Sequence, residues 1–178
     1  YSPKQTMQLC QTLYEGGHIT YMRTDSKTYS KDFLKTAVAL ITKQYGTQYV
    51  SSNIDKMSDR QTKKPSNLKK GTKDVQSAQE AHEAIRPTKL ACKIIPETVG
   101  KKEARLYALI WRNTVESCMA AAKYIALTAT VTAPDSLMYK YSTEQVVFPG
   151  WKVVAGYEEV NELFTFLQTL QAKSVLEY

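Results

Sequence analysis

At 178 residues with a hydrophobic fraction of 43%, the chain is long enough to bury a core and falls outside the class of highly charged, disordered sequences. Lysine and arginine outnumber the acids 24 to 17, a formal net charge of +7 that favours a polyanionic partner without specifying a fold. Cys10, Cys92 and Cys118 are far apart with no Cys-x-x-Cys spacing, which argues against a zinc or disulfide framework and for a reducing compartment, and no apolar run approaches the ~20 residues of a membrane span.

The start, Tyr1-Ser2-Pro3-Lys4, has neither an initiator methionine nor a signal peptide and reads as part of something longer. Ser2-Pro3 is an N-cap followed by proline at the first helical position. Met7, Cys10, Leu13 and Tyr14 then recur at helical spacing until Gly16-Gly17 stops the helix. His18 to Tyr21 is short and extended, so the hexapeptide Tyr21-Met22-Arg23-Thr24-Asp25-Ser26 falls at the end of a strand or turn, where a side chain can face a substrate. Ser30 begins a second helix with Phe33, Leu34, Ala37, Val38 and Ile41 on one face and Gly46 near its end.

The next stretch differs in kind. Between Lys56 and Lys73 lie seven basic residues (Lys56, Arg60, Lys63, Lys64, Lys69, Lys70 and Lys73) and one acid, Asp59, with Pro65 and Gly71 interrupting any helix. A solvated loop and a loop that tracks phosphates through non-specific charge are compatible readings. From Glu103 to Lys123 the spacing predicts a third helix with Leu106, Tyr107, Ile110, Trp111, Val115, Cys118, Met119 and Ala122 on a wide apolar face, aromatics better suited to a core than to base stacking. Residues 125–132 alternate with period two, Pro134-Asp135 supplies a turn, and strand-like runs follow over Leu137–Tyr141 and Gln145–Phe148. Val160, Leu163, Phe164, Leu167 and Leu170 suit a last helix. The fold class expected is α+β, helical in front and β-containing behind.

The chemistry begins at Tyr21. A phenol, with a pKa of about 10, attacks a phosphodiester only if its proton is removed or nearby positive charge stabilises the phenolate. Arg23 lies at i+2, on the same face in an extended segment, and offers forked donors to phosphate oxygens as charge builds. Downstream, Ala81-His82-Glu83-Ala84-Ile85-Arg86-Pro87-Thr88 supplies a histidine able to bind phosphate or move a proton, with Glu83 or Glu80 to orient it, and a further cation in Arg86. Taken singly these residues are weak signals. A tyrosine among 12 is ordinarily a packing residue, and Thr24, Asp25, Ser26 and Ser30 are ordinary capping and turn residues.

Jointly the two segments resemble the type IA DNA topoisomerases. The similarity extends to Ser2-Pro3 through Leu13-Tyr14-Glu15, to Leu106-Tyr107-x-x-Ile110-Trp111-Arg112 and to Phe148-x-Gly150-Trp151, nearly the whole chain. It is greater to the bacterial topoisomerase I branch than to topoisomerase III, which usually carries proline where Met22 stands. The resemblance implies that Tyr21 attacks a single-stranded DNA phosphodiester and forms a 5′-phosphotyrosyl link. Another strand passes through the gap, the break is resealed, and negative supercoils relax without ATP. It implies that Arg23 and His82 are catalytic, with Arg86 a supporting basic residue in contact with DNA; the charge of the basic loop, separately, makes Lys63, Lys64, Lys69 and Lys70 candidate DNA contacts.

It also implies a largely helical, winged-helix-like tyrosine domain over residues 1–124 and part of a β-rich arch over 125–178. The family's Mg²⁺-binding acidic domain precedes this region, and no Asp-x-Asp pattern occurs here, so an internal fragment inactive by itself is expected, from a cytoplasmic enzyme associated with the nucleoid if bacterial. Oligomeric state stays open. The alternative is a non-catalytic nucleic-acid-binding module working through the basic loop at 56–73, with Tyr21 merely packed.

Overall fold

The computed structural model describes residues 1–58, 83–157, 160–171 and 173–175, which fall into two compact units, Tyr1–Ala120 and Ala121–Tyr178. Among them are four α-helices and a two-stranded antiparallel sheet, a mixed α+β content.

In the first unit, α1 (Pro3–Glu15) starts on a reciprocal cap. The Ser2 hydroxyl accepts from the Gln5 amide at 3.2 Å, and the Gln5 side chain accepts from the Ser2 amide at 3.1 Å. Leu9, Cys10 and Leu13 form its buried face against α3 (Lys101–Ser117). Met7 and Tyr14, expected on that face, are exposed, because the stripe that meets α3 is centred on Leu9 and Leu13 instead. Helix α2 (Lys31–Tyr45) is capped by Ser30, buries Phe33, Leu34, Ala37 and Ile41, and ends at Gly46, whose φ of 104° suits glycine. On α3, Tyr107 and Trp111 are 2% and 3% exposed, which makes them core. Their polar tips reach out of the core: Tyr107 donates to the Cys92 carbonyl at 2.6 Å and the Trp111 indole to the Leu90 carbonyl at 2.8 Å, fastening the 90–92 turn to the helix. Burial pushes the Tyr107 phenol up to about 12.

Helix α3 is shorter than its apolar period suggests. It ends at Ser117 rather than running to Lys123, because Met119 leaves the helix to bridge Val50. The Ala120 amide donates to the Tyr49 carbonyl at 2.8 Å and the Ser51 amide to the Cys118 carbonyl at 3.0 Å. Cys118 and Met119 therefore stay buried outside the helix, and burial raises the Cys118 thiol to about 11. All three cysteines are free.

In the second unit, β1 (Lys123–Thr132) pairs with β2 (Met138–Phe148) from Thr132 opposite Met138 to Lys123 opposite Phe148. The connection is the expected turn at Pro134–Ser136, with Asp135 at φ 61°, a conformation aspartate tolerates better than most residues. The strand-like runs at 137–141 and 145–148 are one strand, since Ser142-Thr143-Glu144 continues the alternation and contains no breaker. Helix α4 (Glu162–Thr169) packs on both strands through Phe164, which is buried. Asn161 caps α4 by accepting from the Phe164 amide at 3.2 Å, and its side-chain amide donates to Thr143 and to the Glu144 carbonyl, both at 3.0 Å.

Candidate functional site

The two motifs identified in the sequence meet through the backbone. Gly17 turns the chain at φ 70°, and His18–Thr20 then runs antiparallel to Arg86–Thr88, with a bridge between Ile19 and Pro87. The Thr20 amide donates to the Arg86 carbonyl at 2.9 Å and the Thr88 amide to the His18 carbonyl at 3.0 Å. The Thr88 hydroxyl adds a bond to the Gly17 carbonyl at 2.6 Å. The short extended segment expected at 18–21 is thus present, and the second motif supplies its partner.

The hexapeptide leaves this pairing as a loop fastened at both ends to one residue. At the entry, the Thr20 hydroxyl donates to the Ala84 carbonyl and accepts from the Arg86 amide, each at 2.9 Å. At the exit, the Ala84 amide donates to the Thr28 carbonyl at 2.8 Å. Inside the loop, Ser26 bonds Thr24 and Thr28 at 3.0 and 3.1 Å, while Met22 is 5% exposed and anchors the loop to the core. Tyr21 is half-buried at the loop entry, its ring edge-on to Tyr14 with centroids 5.2 Å apart and planes at 67°. Arg23 is exposed. The backbone bends at Met22 and Arg23 instead of staying extended, so the shared-face argument from i,i+2 spacing does not hold for this pair.

Arg86 is committed within the protein. Its side chain is 14% exposed, and its Nε donates to Glu83 at 2.5 Å. An Nη1 donor reaches the Pro87 carbonyl at 3.0 Å, and the guanidinium lies 4.3 Å from the centre of the Phe33 ring. Glu83 is engaged too. Burial alone would raise its carboxyl, but hydrogen bonds from Arg86 and Ser30 and the Arg86 charge outweigh that and hold it below its ordinary range. The Glu83–Arg86 pair thereby ties the second motif to the start of α2 at Ser30 and Phe33.

His82, Lys63, Lys64, Lys69 and Lys70 lie outside the described residues. His18, the other histidine, is half-buried and edge-on to Tyr107 at 6.3 Å. A hollow of about 810 Å³ runs along α2 between Leu34, Val38 and Ile54 and shares no residue with either motif. Among the described residues no three His, Cys, Asp or Glu side chains group as a metal site, so these residues do not fit Mg²⁺. No described helix is long and apolar enough to cross a membrane.

Four contributors escaped the sequence reading: Tyr14, Thr20, Met22 and Thr28. Thr20 and Thr28 have a recognisable signal, since hydroxyl or backbone groups flanking a loop of special composition are natural fasteners. Tyr14 had none, because its contact with Tyr21 depends on the reversal at Gly17.

Comparison with known proteins places this geometry. A family model described as DNA topoisomerase matches residues 1–176. The chain is 37% identical over 171 residues to DNA topoisomerase 1 of Buchnera aphidicola, covering 95% of this chain and 18% of that protein. Against DNA topoisomerase 1 of Haemophilus influenzae the identity is 38% over 157 residues, covering 86% and 16%. The full-length topoisomerase I structure from Thermotoga maritima superposes with a TM-score of 0.65 at 28% identity, over 89% of this chain and 24% of that one. The chain therefore spans less than a fifth of the length of these curated relatives.

Proposed function

Because the chain belongs to the type IA DNA topoisomerase family, in its bacterial topoisomerase I branch, we propose that it carries the strand-cleaving tyrosine of such an enzyme, with Tyr21 as nucleophile. The Tyr21 oxygen attacks the phosphorus of one phosphodiester in single-stranded DNA. A bond from phosphorus to oxygen forms as the bond to the 3′-oxygen breaks; the phenol loses its proton and the departing 3′-oxygen gains one. The product is a 5′-phosphotyrosyl link, and the reverse reaction reseals the strand. One phosphodiester replaces another, so no ATP is consumed, and strand passage through the gap relaxes negative supercoils.

Arg23, exposed at the loop, donates to the non-bridging oxygens as charge develops. His82 binds the same phosphate or moves the proton, and Lys63, Lys64, Lys69 and Lys70 follow the DNA backbone by charge. Arg86 acts as a positioning residue through its Nε bond to Glu83 and its Nη1 bond to the Pro87 carbonyl, and its remaining donors can still add to the positive charge near DNA. The type IA family uses Mg²⁺; the described residues do not group as a site for it, and no step above passes through the metal. Residues 1–124 form the winged-helix-like tyrosine domain, residues 125–178 the start of the arch, and the enzyme works in the cytoplasm on chromosomal DNA.

The observation that supports this reading is the two-ended attachment of the hexapeptide to Ala84, which fastens the tyrosine loop to the described part of the second motif, Glu83 to Thr88. The experiment compares the full-length protein with its Tyr21→Phe variant on a labelled single-stranded oligonucleotide. Loss of the denaturant-trapped covalent adduct with DNA binding near the parent's is expected. An adduct that survives the substitution would remove Tyr21 as nucleophile. The 178-residue chain alone is expected not to relax a supercoiled plasmid.

A further inference from the structure

We infer that the exposed face at the start of α3, carrying Lys101, Lys102 and Arg105, is a further contact surface for a DNA backbone, outside both motifs. This rests on the reading of the chain as part of an enzyme that acts on DNA. Arg105 stands four residues from Lys101 and three from Lys102, so the helical repeat makes the three cations neighbours. All are exposed, and none forms an ion pair with a described residue. The acid among them, Glu103, is half-buried and folds its carboxylate back over Gly100. Further along, Glu116 pairs with Arg112 at 3.6 Å, so the uncompensated charge of the helix is concentrated at 101–105.

The helix gains nothing from this arrangement. Lys101 and Lys102 occupy its first turn, where the positive end of the helix dipole disfavours cations, and Lys101 repels Arg105 at i,i+4. The N-cap is Gly100, which brings no side-chain bond, and the buried face is made by Tyr107, Trp111, Thr114 and Val115. A local electrostatic cost with no local return points to an anion outside the helix. The cluster covers about 6 Å of helix axis, which lets its long side chains reach successive phosphates of a strand, about 3.4 Å apart along a duplex. Its place in the fold suits that use. Tyr107 and Trp111 bond α3 to the Cys92 and Leu90 carbonyls, and that turn follows Thr88, which is bonded to Gly17 and His18. DNA held on α3 is therefore held by an element fastened to the segment that anchors the tyrosine loop.

The test measures the affinity of the full-length protein for a single-stranded oligonucleotide and for a duplex across a salt series. The parent is compared with a triple variant, Lys101→Gln, Lys102→Gln and Arg105→Gln, which keeps helix-forming side chains of similar length. A control variant, Lys35→Gln, Lys43→Gln and Lys140→Gln, removes the same charge from exposed positions elsewhere. In the α3 variant the slope of log affinity against log salt should fall by about 2 on the single strand or about 3 on the duplex. A fall on the single strand alone identifies the strand being cleaved as occupant, and on the duplex alone a flanking duplex segment; a fall on both identifies backbone charge in either form. The α3 amides should exchange with solvent about twofold more slowly once the repulsion is relieved, and faster exchange would overturn the claim that the charges burden the helix. A slope equal to the parent's on both DNAs overturns the contact surface while leaving the DNA reading in place. An equal fall in the control variant also overturns it, since net charge rather than this face would then be responsible. If the parent binds neither DNA, the reading of the chain as part of a DNA enzyme fails, and the proposal with it.

Discussion

Replacing Thr20 by valine should loosen the tyrosine loop without disturbing the packing around it. Valine keeps the β-branch and nearly the same volume, so strand preference and contacts are retained while the hydroxyl is lost. That hydroxyl donates to the Ala84 carbonyl and accepts from the Arg86 amide, each at 2.9 Å, at half-buried positions. Two backbone groups thus lose their partner. At a net 0.5–1.5 kcal/mol for each bond, with a further penalty where water cannot replace it, the cost is about 2 kcal/mol. Every 1.4 kcal/mol is tenfold, so amides of the first unit should exchange with solvent about 30-fold faster where exchange follows unfolding of that unit. The Thr20 and Ala84 amides, bonded to the Arg86 and Thr28 carbonyls, report the local part of the change. Thr20→Ser, which keeps the hydroxyl, should recover most of the protection, and hydrogen exchange on the 178-residue chain measures all three proteins. Exchange in Thr20→Val within about threefold of the parent, or Thr20→Ser as fast as Thr20→Val, would refute the claim that this hydroxyl fastens the loop.

Glu83→Gln tests the other tie. Because the folded carboxyl titrates below its ordinary value of 4.5, it adds stability that is present above that pH and lost as pH falls through the folded value. The parent should therefore exceed Glu83→Gln by about 1 kcal/mol near neutral pH, with the gap closing in acid, and urea titrations across pH 3–7 would show it. Asn161→Ala removes three side-chain bonds, two to β2 and one that caps α4, and should cost the second unit about 2 kcal/mol, read as lost exchange protection at the Phe164 amide with first-unit amides unchanged.

What was legible in the chain was local. The Ser2-Pro3 cap, Ser30 before Phe33, and Gly46 each have short-range causes, and each marks a helix boundary in the structure. The end of α3 was hidden because Cys118 and Met119 continue its apolar period, and only the distant Val50 draws Met119 away. The division of β2 into two runs came from weighing apolar residues over the unbroken alternation through Ser142-Thr143-Glu144. At the site, residue types that carry chemistry were visible, whereas their supports were not. Ala84 has only backbone groups to offer and so leaves no trace in a reading of side chains. Arg86 looked like a free cation, although Glu83 at i−3 was the signal that its charge was already committed.

That commitment changes how charge would be managed around a cleaved phosphate. With Arg86 Nε bonded to Glu83 and Nη1 to the Pro87 carbonyl, the exposed guanidinium of the loop is that of Arg23. Arg86 instead secures the segment to which the loop is fastened at both ends. On the proposed reading, catalysis separates into a rigid part and a presented part. The backbone at Thr20, Thr28 and Ala84 is set before DNA arrives, so little ordering remains to be done when the phosphate docks. Arg23, on the exposed bend, supplies the positive charge where negative charge grows. Arg23→Ala should then depress cleavage while leaving the exchange protection of Ala84 intact, and Arg86→Ala should do the reverse first, loosening Ala84 and slowing cleavage only as a consequence. If both variants lost cleavage with Ala84 equally protected, the division of labour between the two arginines would be wrong.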